Sequence, residues 1–323
     1  MKAFVRERYV SPDALELRDV EKPALADDAV LVRVRATSVN PVDWYSVLGQ
    51  PFVARVQSGL RRPKQTLLGT DFAGTVETVG NNVTHVRAGA DVYGLRTGAF
   101  AEYVCAGEAV AKKPANLTFE QAAAVPVAGL TALQALRDHG QVQPGQRVLV
   151  NGASGGVGTF AVQIANALGA RVTAVCSTPN LGTVHSIGAE RVIDYTCDDF
   201  ARSGERYDLI LDVSGVRSWS EYRRVLAPEG TFVGIGAPKG SSWLGPLKHF
   251  AKIRLASLRA SQTVVFFISK PNRADLDVLR ELIESGQVTP VIDRTYDLDA
   301  LPEALRYLGE GHARGKIVVL AAT

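Results

Sequence analysis

The sequence predicts an α/β protein: a doubly wound parallel sheet set between two parts of a strand-rich, barrel-like domain. Three observations predict it. Within residues 148–170 a glycine cluster, Gly152 to Gly158, stands between a β-branched apolar run and an apolar helical run. From Arg147 onward, short apolar strands alternate with helices. Before about residue 125 the chain reads as short strands punctuated by glycine.

The glycine stretch is VLVNGASGGVGTFAVQIANALGA. Val148, Leu149 and Val150 read as a buried strand, and Val157, Phe160, Ala161, Ile164 and Leu168 follow helical spacing. Gly152, Gly155, Gly156 and Gly158 lie at the turn. Glycines let the backbone turn tightly and approach a pyrophosphate, whose charge the helix N-terminus holds. A tight strand–helix turn without a ligand is the alternative, but the strand before and the helix after are what a dinucleotide site requires.

Taken in order, residues 2–9 and 15–20 read as an opening strand pair. Residues 29–37 alternate cleanly, with Val30, Val32 and Val34 facing one way and Arg33 and Arg35 the other. Asn40 and Pro41 suit a helix start as cap and first residue. Residues 66–80 form a strand pattern with internal glycines, and residues 92–105 add further short strands, together suggesting a distorted barrel. Thr118 and Gln121 have capping-box spacing, and Pro126 breaks the helical composition that follows. Strands are then expected at 147–150, 171–176, 191–195, 209–213, 231–235 and 264–268, with helices at 156–168, 181–187 and 219–226. The tail reads as an amphipathic helix through Leu276, Leu279 and Ile283, an extended stretch at 290–296, a helix at 302–308 and a last strand at 316–320. This tail returns to the first domain. The expected domains are therefore 1–125 completed by 270–323, and 126–269.

Composition excludes several classes. Of 323 residues 46% are hydrophobic and 21% charged, and the net charge is +3, too mild to point to nucleic acid. No apolar run reaches transmembrane length and the N-terminus lacks a signal-peptide core, so no membrane partner is expected. Cys105, Cys176 and Cys197 are scattered, which suits a reducing cytoplasm and a packing role. Residues 230–274 contain no acid but carry Lys239, Lys248, Lys252, Arg254, Arg259, Lys270 and Arg273. That run reads either as a solvated helix face or as a positive wall near a phosphate-bearing ligand.

An NAD site usually places an acid at the end of the second strand, where it accepts from the ribose 2′-hydroxyl. Here that strand ends in Cys176, Ser177 and Thr178. The hydroxyls suit a 2′-phosphate and favour NADPH, with Tyr195 as a further donor. No arginine or lysine follows at once. The five histidines are isolated and no CxxC or HxxxH pattern exists, so no metal is expected.

The chain resembles the zinc-independent medium-chain dehydrogenase/reductase superfamily, in its quinone oxidoreductase (zeta-crystallin-like) branch. The pieces that carry the resemblance are Asn40-Pro41-Val42-Asp43, Gly69 to Val76 with Val79-Gly80, Gly129-Leu130-Thr131-Ala132, Gly152 to Gly158 and Gly315-Lys316. They run along nearly the whole chain. Zinc-dependent relatives carry Gly-His-Glu where Gly69-Thr70-Asp71 stands and a cysteine in the region of Asn40 to Tyr45. Both are absent here.

The resemblance implies a GroES-like barrel as catalytic domain and a Rossmann domain for the nucleotide. It implies NADPH held by Thr131, by Ser154, Gly155, Gly156 and Val157, by Ser177, Thr178 and Tyr195, by the strand ends at Gly234 and Phe266 to Ile268 (Phe267 included), and by Lys316. Pro179 departs from a basic residue in many close relatives, and Lys248 or Lys252 is a candidate to compensate. A homodimer through an edge of the nucleotide-domain sheet is implied as well.

The leading functional reading is NADPH-dependent reduction of a small-molecule quinone or of an alkene conjugated to a carbonyl. Without zinc, hydrogen-bond donors must hold the developing oxyanion, and Tyr45 and the amide of Asn40 are the candidates. Asp43 is expected to orient the loop or the nicotinamide ribose. Tyr45, Leu48, Phe52 and Trp243 are candidate pocket residues. Two other readings are a zinc-free alcohol dehydrogenase or carbonyl reductase, and an NADPH-binding protein with a structural or RNA-binding role.

Overall fold

The computed structural model describes residues 1–52, 55–236, 245–258 and 260–321, apart from the side chains of Gln57 and residues 245–248. Lys239, Trp243 and Arg259, together with the side chain of Lys248, lie outside the described residues. Two compact units divide the chain. One comprises Met1–Leu130, Lys270–Gly286 and Pro290–Thr323, the other Thr131–Ser269 and Gln287–Thr289.

In the first unit β1 (Lys2–Val5) pairs antiparallel with β2 (Glu16–Asp19) as a separate two-stranded sheet. β3 (Val30–Val39) is the longest strand and shows the alternation its sequence predicts, with Val30, Val32 and Val34 buried and Arg33 and Arg35 exposed. Pro41 then opens α1 (Pro41–Leu48), and the four-residue α2 (Arg55–Ser58) follows. β4 (Asp71–Val79), β5 (Asp91–Leu95), β6 (Tyr103–Ala106) and β7 (Val110–Lys112) complete the strand-rich region. α3 (Phe119–Ala123) is closed by the predicted capping box, Gln121 N donating to Thr118 Oγ1 and Thr118 N to Gln121 Oε1. Pro126 ends that helical composition but also starts α4 (Pro126–Gln134), as suits a residue with no amide to satisfy.

The second unit is a six-stranded parallel sheet in the order β10-β9-β8-β11-β12-β13. Its elements are β8 (Arg147–Asn151), α5 (Gly156–Ala167), β9 (Arg171–Cys176), α6 (Leu181–Ser186), β10 (Arg191–Asp194), β11 (Tyr207–Asp212), α7 (Trp219–Val225), β12 (Leu226–Gly234), α8 (Gly245–Ser257) and β13 (Thr263–Phe266). The order reverses beside β8, which is where open α/β sheets bind nucleotides. The core of this unit includes Leu149, Val175, Ile210, Tyr222 and Phe232. β13 ends at Phe266, so Phe267 and Ile268 stand beyond the strand.

The chain then re-enters the first unit with α9 (Arg273–Glu284), β14 (Ile292–Asp297), α10 (Leu301–Glu310) and β15 (Lys316–Leu320). β15 pairs antiparallel with β3, giving a seven-stranded sheet ordered β14-β15-β3-β4-β5-β7, with β6 also on β3. α10 packs its Leu301, Ala304 and Leu305 onto a core with Val47, Phe100 and Val319. The indole of Trp44 lies so close to Gly309 that a Cβ there would meet it at 2.4 Å. Trp44 therefore holds α1 to α10.

Candidate active site

At the turn between β8 and α5, Gly152 has φ +88° and Gly155 occupies the N-cap position of the helix. A Cβ on Gly158 would lie 2.1 Å from the Gly152 carbonyl oxygen, so only glycine lets the helix start this close to the strand. Ser154, Gly155, Gly156 and Val157 are half-exposed. The first amides of α5 have no carbonyl in the helix to bond and point out of its positive end. A turn of this geometry can receive a pyrophosphate.

A polar network that sequence reasoning missed braces this turn. Asn151 Nδ2 donates to Asp212 Oδ1 at 3.0 Å, to Ser214 Oγ at 2.7 Å and to Tyr222 Oη at 3.2 Å. Asp212 Oδ1 also accepts from the amides of Ser214 and Gly215. Burial and the neighbouring Asp212 push the Tyr222 hydroxyl well above its usual range, so it stays protonated. The signal for this network is tertiary: parallel pairing of β8 with β11 puts Asn151 opposite Asp212.

Ser177 and Thr178 directly follow β9. Ser177 Oγ accepts from Asn180 Nδ2 at 3.0 Å. Thr178 Oγ1 donates to Asp194 Oδ2 at 2.5 Å, and the other oxygen of Asp194 accepts from the amide and the hydroxyl of Thr196. The bonds from Thr178 and Thr196 hold the Asp194 carboxyl below the usual carboxylate range. An acid thus does stand beside the second strand end. It comes from the next strand, whose pairing sets Asp194 opposite Cys176. Tyr195 is 57% exposed with its amide bonded to Cys176 O.

Of the other expected cofactor residues, several make contacts within the unit. Thr131 is buried, with Oγ1 donating to Ser269 Oγ at 3.1 Å. A Cβ on Gly234 would meet the Phe266 ring at 2.4 Å, and that ring packs on Phe250 and Phe232 in an aromatic cluster. Phe266 is therefore a packing residue that closes over Gly234. Phe267 lies tilted beside His139, ring centroids 4.2 Å apart, and Ile268 is 90% exposed.

In the first unit a buried cluster joins α1, β3, β4 and β15. Asp71 Oδ2 accepts from Ser38 Oγ at 2.8 Å, from Asn40 Nδ2 at 2.8 Å and from Lys316 Nζ at 3.3 Å. Its Oδ1 accepts from the Val127 amide at the start of α4, at 2.9 Å. Lys316 Nζ also donates to Asn40 Oδ1 at 2.5 Å. Asp43 accepts from the Asn40 amide at 2.8 Å and from Thr70 Oγ1 at 2.7 Å. Burial, with Asp71 nearby, pushes the Asp43 carboxyl up to about 7 against the pull of those two bonds.

This geometry corrects two expectations, for Asn40 and Lys316, and narrows that for Asp43 to one of its two expected roles. The Asn40 backbone amide is spent on Asp43 and its side chain on Asp71 and Lys316, so Asn40 is not a free oxyanion donor. Asp43 is 3% exposed with both oxygens bonded, so it orients the loop rather than a ribose. Lys316 is 3% exposed and anchors the carboxylate cluster instead of facing a cofactor. Tyr45, half-buried on α1, is the expected site residue left outside this network. Among the described residues no group of three His, Cys, Asp or Glu is arranged to hold a metal ion.

The alcohol dehydrogenase GroES-like domain model matches residues 26–116, and the zinc-binding dehydrogenase model matches residues 187–319. The chain is 33% identical to the chloroplast envelope quinone oxidoreductase homolog of Arabidopsis thaliana, covering 94% of this chain and 93% of that protein. It is 32% identical to the 2-methylene-furan-3-one reductase of Solanum lycopersicum, covering 99% and 79%. The solved structure of the quinone oxidoreductase from Coxiella burnetii superposes with a TM-score of 0.86 at 30% identity, covering 100% of this chain and 99% of that one. Sequence pieces, fold and relatives agree: the chain belongs to the quinone oxidoreductase branch of the medium-chain dehydrogenase/reductase superfamily.

Proposed function

We propose that the protein is an NADPH-dependent oxidoreductase that reduces quinones or α,β-unsaturated carbonyls without a metal ion. The carrying observation is the β8–α5 turn, where Gly158 brings the helix start against the strand and residues 154–157 stay half-exposed. The names of the Arabidopsis and tomato relatives support the two acceptor classes. Ser177 and Tyr195 are the hydroxyls for a 2′-phosphate, and the first amides of α5 receive the pyrophosphate. Bound NADPH supplies a hydride.

The chain's own part is to hold the acceptor and the charge it develops. Hydride at the β-carbon of an enone would leave an enolate, to whose oxygen Tyr45 donates a hydrogen bond, and a proton from water at the α-carbon then completes the saturated product. The Asp71–Lys316–Asn40 cluster fixes the start of α1 and so the direction of Tyr45. Zinc does not fit here. The Asp43 and Asp71 oxygens are taken by protein donors, and an ammonium already sits among them. An unactivated alcohol is then a poor substrate, because among the described residues no metal site stands ready to ionise its hydroxyl.

A homodimer through the sheet edge at β13 belongs to the same reading. This strand has a neighbour on one side in the sheet. The three free cysteines suit a cytoplasmic site of action. The test is oxidation of NADPH and of NADH over a panel of quinones, enones and simple alcohols. Turnover with quinones or enones, faster with NADPH, is expected; tight NADPH binding with no turnover across the panel overturns the reading.

A further inference from the structure

We propose that residues 55–65 dock the protein onto an anionic lipid surface. Residues 44–70 carry Arg55, Arg61, Arg62 and Lys64 and not one acid. The segment is pinned from behind. Arg55 lies over the rings of Tyr9 and Phe52 at 4.0 and 4.3 Å and donates to the Gly49 and Leu48 carbonyls. Tyr9 Oη donates to Gly59 O at 2.5 Å, and the Lys64 amide to Ser58 O at 2.8 Å. Gly59 and Pro63 are buried.

What this pinned segment exposes is both basic and aliphatic. Val56 is 71% and Leu60 69% exposed, and Arg61, Arg62 and Lys64 are exposed beside them. Among the described residues no ion pair or side-chain hydrogen bond involves those three cations. The acid that feels Arg62, Glu7, is held by Arg18 at 2.9 Å. Two large aliphatics held in water and three unneutralised cations on one short loop match an anionic bilayer, whose headgroups draw the cations while the acyl boundary takes Val56 and Leu60. Nucleic acid fits less well, since a stacking surface needs exposed rings and Phe52 lies under Arg55. The expectation of no membrane partner rests on the lack of a spanning segment, and among the described residues no helix is long and apolar enough to cross. Surface docking needs none.

The proposal is independent of the catalytic reading and is tested on the full chain. Co-sedimentation is measured with vesicles of phosphatidylcholine and phosphatidylglycerol in about equal parts, and with pure phosphatidylcholine. The protein is expected on the anionic vesicles alone and to leave them at about 0.5 M salt. Each cation contributes about fivefold to partitioning, so R61E/R62E/K64E is expected to bind more than about 100-fold more weakly. V56S/L60S is expected to weaken binding at unchanged charge. Urea midpoints equal to the parent's establish that both variants are folded. Absence of anionic-vesicle binding at low salt, or equal binding by the parent and R61E/R62E/K64E, overturns the proposal. So does retention on single-stranded RNA without vesicle binding.

Discussion

The Lys316 ammonium faces two buried carboxylates, and that imbalance sets the chemistry of the cluster. With Asp43 and Asp71 both ionised the cluster would be a buried net anion, and a proton on Asp43 relieves it, consistent with its carboxyl titrating near pH 7. The folded chain then binds this proton up to about pH 7, whereas the unfolded chain releases it near pH 4. Stability therefore falls as pH rises between those values, and Asp43→Asn is expected to flatten that part of the urea-midpoint profile. Lys316→Met leaves Asp71 buried without its cation and is expected to cost about 3–5 kcal/mol in urea unfolding. At the site proposed for the 2′-phosphate, Asp194, held ionised beside Thr178, would oppose that group. Asp194→Asn is expected to lower the KM for NADPH severalfold while that for NADH changes little. Asn40, Asp43 and Lys316 are visible in the sequence because their motifs are. Their partnership is not, because it needs β3 paired with β4 so that Ser38 meets Asp71. Asp194 is hidden for the same reason: it reaches Thr178 only across a strand pair.

At the scale of elements, what local chemistry dictates is legible. The alternation of β3, the Thr118 capping box, the end of β9 and the last strand at 316–320 follow from side-chain pattern alone. The β8–α5 turn is the clearest case, and it yields a sharp prediction. Gly158→Ala would drive a methyl group into the Gly152 carbonyl, so the helix start must move off the strand. The expected cost is about 1–3 kcal/mol in unfolding, together with a raised KM for NADPH and an unchanged pH profile. Elements shaped by tertiary packing read less well. Phe266 looks like part of a ligand-lining strand end, yet its ring is drawn into an aromatic cluster with Phe232 and Phe250. Trp44 sits in the motif beside Tyr45 but serves the contact of α1 with α10.

At the scale of the whole molecule, the chain leaves its first unit, builds the parallel sheet and returns to place β15 against β3. That return supplies Lys316, so the cluster behind α1 is complete only when the last strand is in place. The proposed function is hydride delivery to an already polarised acceptor, with protein donors and no metal. The most direct measurement uses NADPH deuterated at C4 and an enone substrate, with protein dialysed against a strong chelator. One deuterium at the β-carbon of the saturated product and a rate unchanged by chelation are expected. Loss of turnover on chelation with recovery on added zinc, or product without deuterium at that carbon, would contradict the proposed function.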